Sequence, residues 1–69
     1  MIEFILKNSE VNREPIIIVY QKGDEITQRK IRVNRIKDDI IQAYCFRKKA
    51  LRNFKMENVL AATKSNVMN

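Results

Sequence analysis

Residues 16–20, Ile-Ile-Ile-Val-Tyr, are the segment that most constrains how this chain folds. Four β-branched side chains and one aromatic in succession favour an extended strand over a helix. Because the run is apolar without alternation, we expect burial on both faces or a central position in a sheet. Gly23, the chain's single glycine, follows in a polar segment, where its tolerance of positive φ favours a hairpin turn.

Other segments predict further strands around this hairpin. We expect them at residues 2–6, 26–33, 39–46 and 51–55, with a closing strand or turn of helix at 59–62. Polar residues 8–15 are typical of a connection, residues 34–38 and 47–50 of turns, and Met56–Asn58 of one helical turn.

A rival interpretation makes residues 37–46 helical, because Ile40, Ile41 and Tyr44 have helical spacing, and residues 48–62 as well. Ile, Tyr, Cys and Phe are weak helix formers, so strands are favoured. Five or six short strands with tight turns in so short a chain predict a mainly β fold. We expect a small SH3-like or Sm-like β-barrel with at most one short helical turn, since closure removes exposed sheet edges.

The chain has 69 residues, enough for one domain with a lean core. We assign residues 1–62 to this domain and the small, polar residues 63–69 to a flexible C-terminal tail. No segment approaches the roughly 20 apolar residues that span a bilayer, and no secretory signal is visible. We therefore expect a cytoplasmic protein without membrane contact.

The residue types that the chain lacks argue against catalysis and metal binding. With no histidine and one cysteine, Cys45, it has neither the ligands of a structural zinc site nor an internal disulfide. An unpaired cysteine fits a reducing compartment, and Ser9 and Ser65 have no histidine as general base. Asp38 and Asp39 are adjacent and are interpreted as turn residues. We expect a non-enzymatic protein with no cofactor.

Positive charge is concentrated in one part of the chain. Residues 29–55 hold ten bases and two acids, a net charge of +8, whereas the whole chain is +6. A basic half on a small domain indicates an anionic partner. The alternative is that these lysines and arginines keep the protein soluble and protect sheet edges.

Four segments, by their order and spacing, resemble the WYL domain family of prokaryotes, whose pattern is I-x-Y, R-x-I-x-P, W-Y-L leading into A-Y-C, then R-x-F-R-L-x-R-I. They are residues 18–20, 29–33, 39–45 and 52–59. Ala43-Tyr44-Cys45 and Arg52-Asn53-Phe54 match best. The chain departs from the family at the namesake Trp-Tyr-Leu, at the proline and at the last arginine, which fall on Asp39-Ile40-Ile41, Val33 and Asn58.

The resemblance implies an SH3-like or Sm-like barrel of the kind found in bacterial transcription regulators. There such domains sense ligands or bind nucleic acids, usually fused to a winged helix-turn-helix. This chain contains no helix-turn-helix, so we expect a stand-alone relative without the usual means of reading duplex sequence. Arg29 and Arg52 match the family's arginines, and the resemblance implies a phosphate-binding role for both.

The residues themselves also favour a site at Arg29 and Arg52. Each shares its predicted strand face with apolar residues, Ile31 and Val33 for the first and Phe54 for the second. A guanidinium on an apolar face is costly unless it is paired or reaches solvent. We expect both on one rim of the barrel, partly exposed and holding a phosphate. Alternatively, their stems pack on the barrel and their heads only reach water.

A second candidate is the hairpin tip Arg47-Lys48-Lys49 beside Tyr44 and Phe46. Bases next to aromatics suit single-stranded nucleic acid, which needs a charged track and stacking surfaces. The alternative places both rings in the core and makes the tip a solvated turn.

Together these features predict a regulatory module for a phosphate-bearing ligand, either single-stranded nucleic acid or a nucleotide. Its basic groove would be formed by Arg29, Arg52, Arg47, Lys48, Lys49 and Tyr44. The alternative function is a protein-interaction adaptor or a structural homo-oligomer, with residues 2–6 as the edge strand for association.

Overall fold

The structure is a computed structural model that describes residues 2–65. A helix, α1 (Ile2–Asn12), precedes one antiparallel sheet with the strand order β4-β3-β2-β1-β5. The strands are β1 (Pro15–Lys22), β2 (Glu25–Lys37), β3 (Ile40–Cys45), β4 (Ala50–Lys55) and β5 (Val59–Lys64), with a 3-10 turn at Met56–Asn58. The mainly β prediction is confirmed, and the rival helices over residues 37–62 are excluded.

The sheet curls strongly without closing. Tyr20 on β1 and Phe54 on β4 belong to non-adjacent strands, yet their rings pack edge to face with centroids 5.0 Å apart. The Tyr20 hydroxyl also accepts a hydrogen bond from the backbone N–H of Lys55, at 3.0 Å. Within residues 2–65, however, β4 and β5 do not pair, because the 3-10 turn carries the chain from one sheet edge to the other. The expected barrel is therefore an open, curved sheet.

Residues 2–6 belong to α1, so the prediction of an edge strand there is wrong. The residues that α1 turns toward the sheet follow the helical spacing i, i+3, i+4, i+7. They are Ile2, Ile5, Leu6 and Ser9. Phe4, whose alternation with Ile2 and Leu6 favoured a strand, is 63% exposed. The helix continues to Asn12, through part of the segment for which a polar connection is predicted. The fold therefore contains more helix than the one short helical turn expected from the sequence. In the described part of the chain, no helix has the length and hydrophobicity of a membrane span.

Two side chains near the end of α1 secure a bend in β2. Ser9 Oγ donates to the Glu14 carbonyl at 2.6 Å and accepts the Val33 N–H at 3.0 Å. Glu10 Oε2 accepts the Ile36 N–H at 3.2 Å. Pairing of β2 with β3 shifts register here, which marks a β-bulge. The bulge lets β2 bend and continue to Lys37, so the predicted turn at residues 34–38 is wrong.

The actual turn after β2 consists of Asp38 and Asp39, which confirms their interpretation as turn residues. Asp38 has a φ of 54°, a left-handed conformation that aspartate tolerates better than most residues. The 3-10 turn at Met56–Asn58 matches its prediction. β5 reaches Lys64, beyond the domain end expected at residue 62. Residues 66–69 of the expected tail lie outside the described residues.

The core lies between α1 and the concave face of the sheet. Ile16 and Ile18 of β1 are buried there, whereas Ile17 and Val19 are half-buried on the convex face. β1 lies between β2 and β5, which confirms the central position expected from its apolar run. The other core members are Leu6, Ile31, Val33, Ile41, Ala43, Phe54 and Val59.

Candidate functional site

The register of the sheet divides the predicted site residues between its two faces. Directly opposite residues of an antiparallel pair point to the same face. Arg29 stands opposite Ile18 and Arg52 opposite Ala43, both core residues, so the two arginines lie on the concave side. Tyr44 belongs to the convex face, because its position alternates with the buried residues of β3.

A cavity of about 240 Å³ on the concave side brings Arg29 and Arg52 together. We call it the inner cavity. It lies between β1, β2, β4 and the 3-10 turn, and it contains no aspartate or glutamate among its lining residues. Besides the two arginines, it is lined by Tyr20, Lys22, Asn53, Phe54, Lys55 and Asn58. The two arginines, which the sequence predicts on one rim, line one cavity.

The chemistry of the inner cavity is that of an anion site. Three of its eight lining residues are cations that the register places on the concave side, one from each of three strands: Lys22, Arg29 and Arg52. Asn58 adds a donor amide, whereas Asn53 and Lys55 stand opposite Gln42 and Ile40, so their side chains belong to the convex face. Tyr20 and Phe54 provide an aromatic wall through their edge-to-face contact. Within residues 2–65, no three His, Cys, Asp or Glu side chains lie together as metal ligands would.

Arg29 is half-buried and is oriented by its neighbours. Its Nε donates to Thr27 Oγ1 at 3.2 Å. Burial raises the pKa of Cys45, but the backbone N–H groups of Lys48 and Arg47 and the guanidinium of Arg29 together hold that pKa below its ordinary value. Arg29 is therefore held in place at the cavity, whereas Arg52 is exposed.

The hairpin tip does not reach the inner cavity. Its backbone folds toward Cys45, and the Lys49 N–H donates to the Cys45 carbonyl at 2.7 Å. The side chains of Arg47, Lys48 and Lys49 are exposed at the end of the β3–β4 hairpin, and none lines the cavity. The structure thus separates the tip from Arg29 and Arg52, which the sequence analysis had placed in one groove.

Tyr44 and Phe46 pack on each other outside the core. Their rings are edge to face with centroids 5.2 Å apart, and both side chains are half-buried. Lys30 Nζ lies 5.4 Å from the Phe46 ring centroid, and the Arg32 guanidinium carbon lies 5.7 Å from the Tyr44 centroid. The alternative that made both aromatics core residues is therefore wrong.

Sequence reasoning missed Lys30 and Arg32, and it missed three cavity residues, Lys22, Lys55 and Asn58. The alternation of side chains along β2 did assign Lys30 and Arg32 to the face opposite that of Ile31 and Val33. Their aromatic partners depend on the pairing of β2 with β3, which local patterns do not reveal. Asn58 could have been predicted from the sequence, because it occupies the position of an arginine in the WYL pattern.

No protein-family model matches the chain, and no curated protein matches it. Among solved structures, the fold is similar to part of proteasome accessory factor B/C (PafBC) of Arthrobacter aurescens. The TM-score is 0.79 and the identity 22%, covering 90% of this chain. This chain spans 11% of the length of that protein. At this identity the likeness shows the fold alone.

Proposed function

We propose that this protein is a non-enzymatic regulatory module that binds a nucleotide in its inner cavity. One observation carries the proposal: three basic side chains, one from each of three strands, line one small cavity whose lining contains no acid. Positive charge around a concave site attracts an anion, and low-dielectric walls strengthen that attraction.

The phosphate is assigned to Arg29 and Arg52. A guanidinium presents its donors as a planar fork that matches phosphate oxygens bidentately. Arg29 is held by its hydrogen bond to Thr27, so less conformational entropy is lost when it binds. Lys22 adds a point charge to the same cavity.

The remainder of the ligand is assigned to the aromatic wall. The Tyr20–Phe54 pair offers apolar surface for a base or sugar, and the amide of Asn58 offers hydrogen bonds. A site with an apolar wall and a few polar groups is typical of small-ligand pockets. This combination favours a nucleotide over inorganic phosphate.

The regulatory part of the proposal is supported by the likeness to PafBC and by the resemblance of residues 16–60 to the WYL pattern. Both are arguments by analogy at the level of the fold.

Titration of the protein with a fluorescent nucleoside monophosphate at low salt tests the proposal. Arg52→Ala removes charge-assisted hydrogen bonds worth about 1.5–3 kcal/mol, so affinity should fall by roughly 10- to 150-fold. Arg47→Ala is the matched control, because it removes an arginine that lies outside the cavity. Equal losses in the two variants, or no binding to the wild-type protein, would refute a nucleotide site in the cavity.

The second candidate function, association through sheet edges, is favoured by the open sheet. Among the described residues, β4 and β5 each have one neighbouring strand. Residues 59–63 of β5 carry no charge, whereas β4 carries Arg52 and Lys55, and edge charges discourage strand pairing. A concentration-dependent dimer in analytical ultracentrifugation, disrupted by Ala61→Pro, would support this function.

A further inference from the structure

We propose that the convex face of the sheet is a second binding surface, separate from the inner cavity, which takes single-stranded nucleic acid. Its charged part is a set of exposed side chains along β2 that we call the outer row. The outer row consists of Lys30, Arg32, Arg35 and Lys37.

The β-bulge in β2 makes the outer row continuous. Side chains alternate between faces along a strand, so without the bulge Arg35 and Lys37 would point to the opposite side from Arg32. The register shift between Val33 and Arg35 reverses the alternation. As a result, Arg32 pairs with Tyr44, Arg35 with Gln42 and Lys37 with Ile40, all on the convex face.

The same reversal turns Ile36 inward, where it packs against the core. The bulge is held by Ser9 and Glu10 of α1, which accept hydrogen bonds from two backbone N–H groups of β2. Placement of four cations on one face is therefore built into the packing of the helix on the sheet.

No acid neutralises the outer row from the neighbouring strands. There is no aspartate or glutamate in β3, in β4 or in the part of β2 that follows Glu25. The segments without an acid are residues 26–37 and 40–55. Asp38 and Asp39 bound the outer row at the turn that follows Lys37. At about 3.3 Å per residue, the outer row extends roughly 20 Å, enough for several phosphates of one strand.

Aromatic surface lies beside the outer row. Lys30 and Arg32 stand over the rings of Phe46 and Tyr44, so cations and rings form one continuous surface. The Arg32 guanidinium is planar and itself stacks on bases. Leu51, paired with Tyr44 across β3 and β4, is 56% exposed and extends the apolar part.

Positive charge alone fits any polyanion, including an acidic protein. A track of cations next to stacked rings instead fits single-stranded nucleic acid, whose phosphates follow the charge while its bases stack on aromatic and guanidinium planes. The hairpin tip, with three more bases, continues from Phe46, the residue that follows β3. The tip therefore adds positive charge to the convex surface, whereas it does not line the inner cavity.

Fluorescence anisotropy with a fluorescein-labelled oligo(dT) 12-mer, at several salt concentrations from about 50 to 200 mM, tests this surface. Arg32→Gln combined with Arg35→Gln should weaken binding at least tenfold at the lowest salt. The slope of log affinity against log salt should become shallower by about 1.4, since each single-strand phosphate contact contributes about 0.7. Lys7→Gln combined with Lys64→Gln removes the same charge from exposed positions outside the surface and should change affinity less than threefold.

Tyr44→Leu tests the stacking part. We expect roughly a 5- to 140-fold loss of affinity with an unchanged salt slope, as for the loss of one stacked base. A thermal melt verifies that the variant is folded. If Tyr44→Leu is unfolded, the outer-row double variant and its control double variant test the proposal without it.

Several results would overturn the proposal. One is equal weakening by the outer-row pair and by the control pair, which would indicate a response to net charge only. Another is a loss of oligonucleotide binding in Arg52→Ala with retention in the outer-row variant, which would place the strand in the inner cavity. Equal affinity for a duplex, or tighter binding of a hexaglutamate peptide, would assign the face to another partner. Because the probes differ, failure here leaves the nucleotide proposal standing, and the reverse also holds.

Discussion

The two faces of one sheet place basic side chains in opposite settings. On the concave side, Arg29 and Arg52 line a small cavity beside the core. On the convex side, Lys30 and Arg32 lie over aromatic rings on an open surface. Arg29 and Lys30 are neighbours in the chain, so strand alternation alone sends them to different surfaces. The enclosed face suits one small anion, and the open face suits an extended one.

The largest expected difference between the faces is in stability. Phe54→Ala removes a ring that is 5% exposed and packs against Tyr20. We expect the free energy of unfolding to fall by about 3–5 kcal/mol, as for other large core truncations. Phe46→Ala, on the convex face, should cost less than half as much because its ring is only half-buried. Urea denaturation of both variants measures this, and equal losses would show that the faces are not distinct.

Ser9→Ala should have the next largest effect. It leaves the buried Val33 N–H without its acceptor, at a cost of about 1–3 kcal/mol in the free energy of unfolding. Asn8→Ala, which removes only an exposed side-chain hydrogen bond to Asn12, is the control and should cost less than about 0.5 kcal/mol. Because Ser9 supports the bulge, its loss should weaken oligonucleotide binding more than nucleotide binding. The reverse preference would contradict the assignment of the outer row.

The smallest expected effect is a pH dependence from Cys45, which interacts with both Arg29 and the hairpin tip. Its pKa is lowered in the folded state, so the folded protein holds the thiolate more readily than the unfolded chain does. The resulting stability is complete above the unfolded pKa and is lost as pH falls through the folded pKa. The free energy of unfolding of the wild type, relative to Cys45→Ala, should therefore rise with pH below the ordinary thiol pKa and level off above it. A constant or falling difference would show that these contacts do not stabilise the thiolate.

Local patterns predicted those parts of the fold that depend on local chemistry. The run at residues 16–20 and the turn at Met56–Asn58 appear where they were expected. α1 was missed because Ile2, Phe4 and Leu6 alternate. Ile5, the one residue that broke the alternation, was the signal of helical spacing.

Features that depend on distant contacts were beyond prediction from sequence. The bulge in β2 needs Ser9 and Glu10, 24 and 26 residues away from their backbone partners. The same limit applies to the sites. Arg29 and Arg52 were found because a guanidinium on an apolar face needs an explanation, whereas the outer row required the register between β2 and β3.

The most direct test of the division between the faces is NMR of the arginine Nε–Hε groups during titration with a nucleoside monophosphate. Arg29 and Arg52 report on the inner cavity, and Arg32 and Arg35 report on the convex face. We predict saturable shifts of the first pair with little change in the second, and the opposite pattern with oligo(dT). Uniform shifts of all four signals with either ligand would contradict the existence of two separate surfaces.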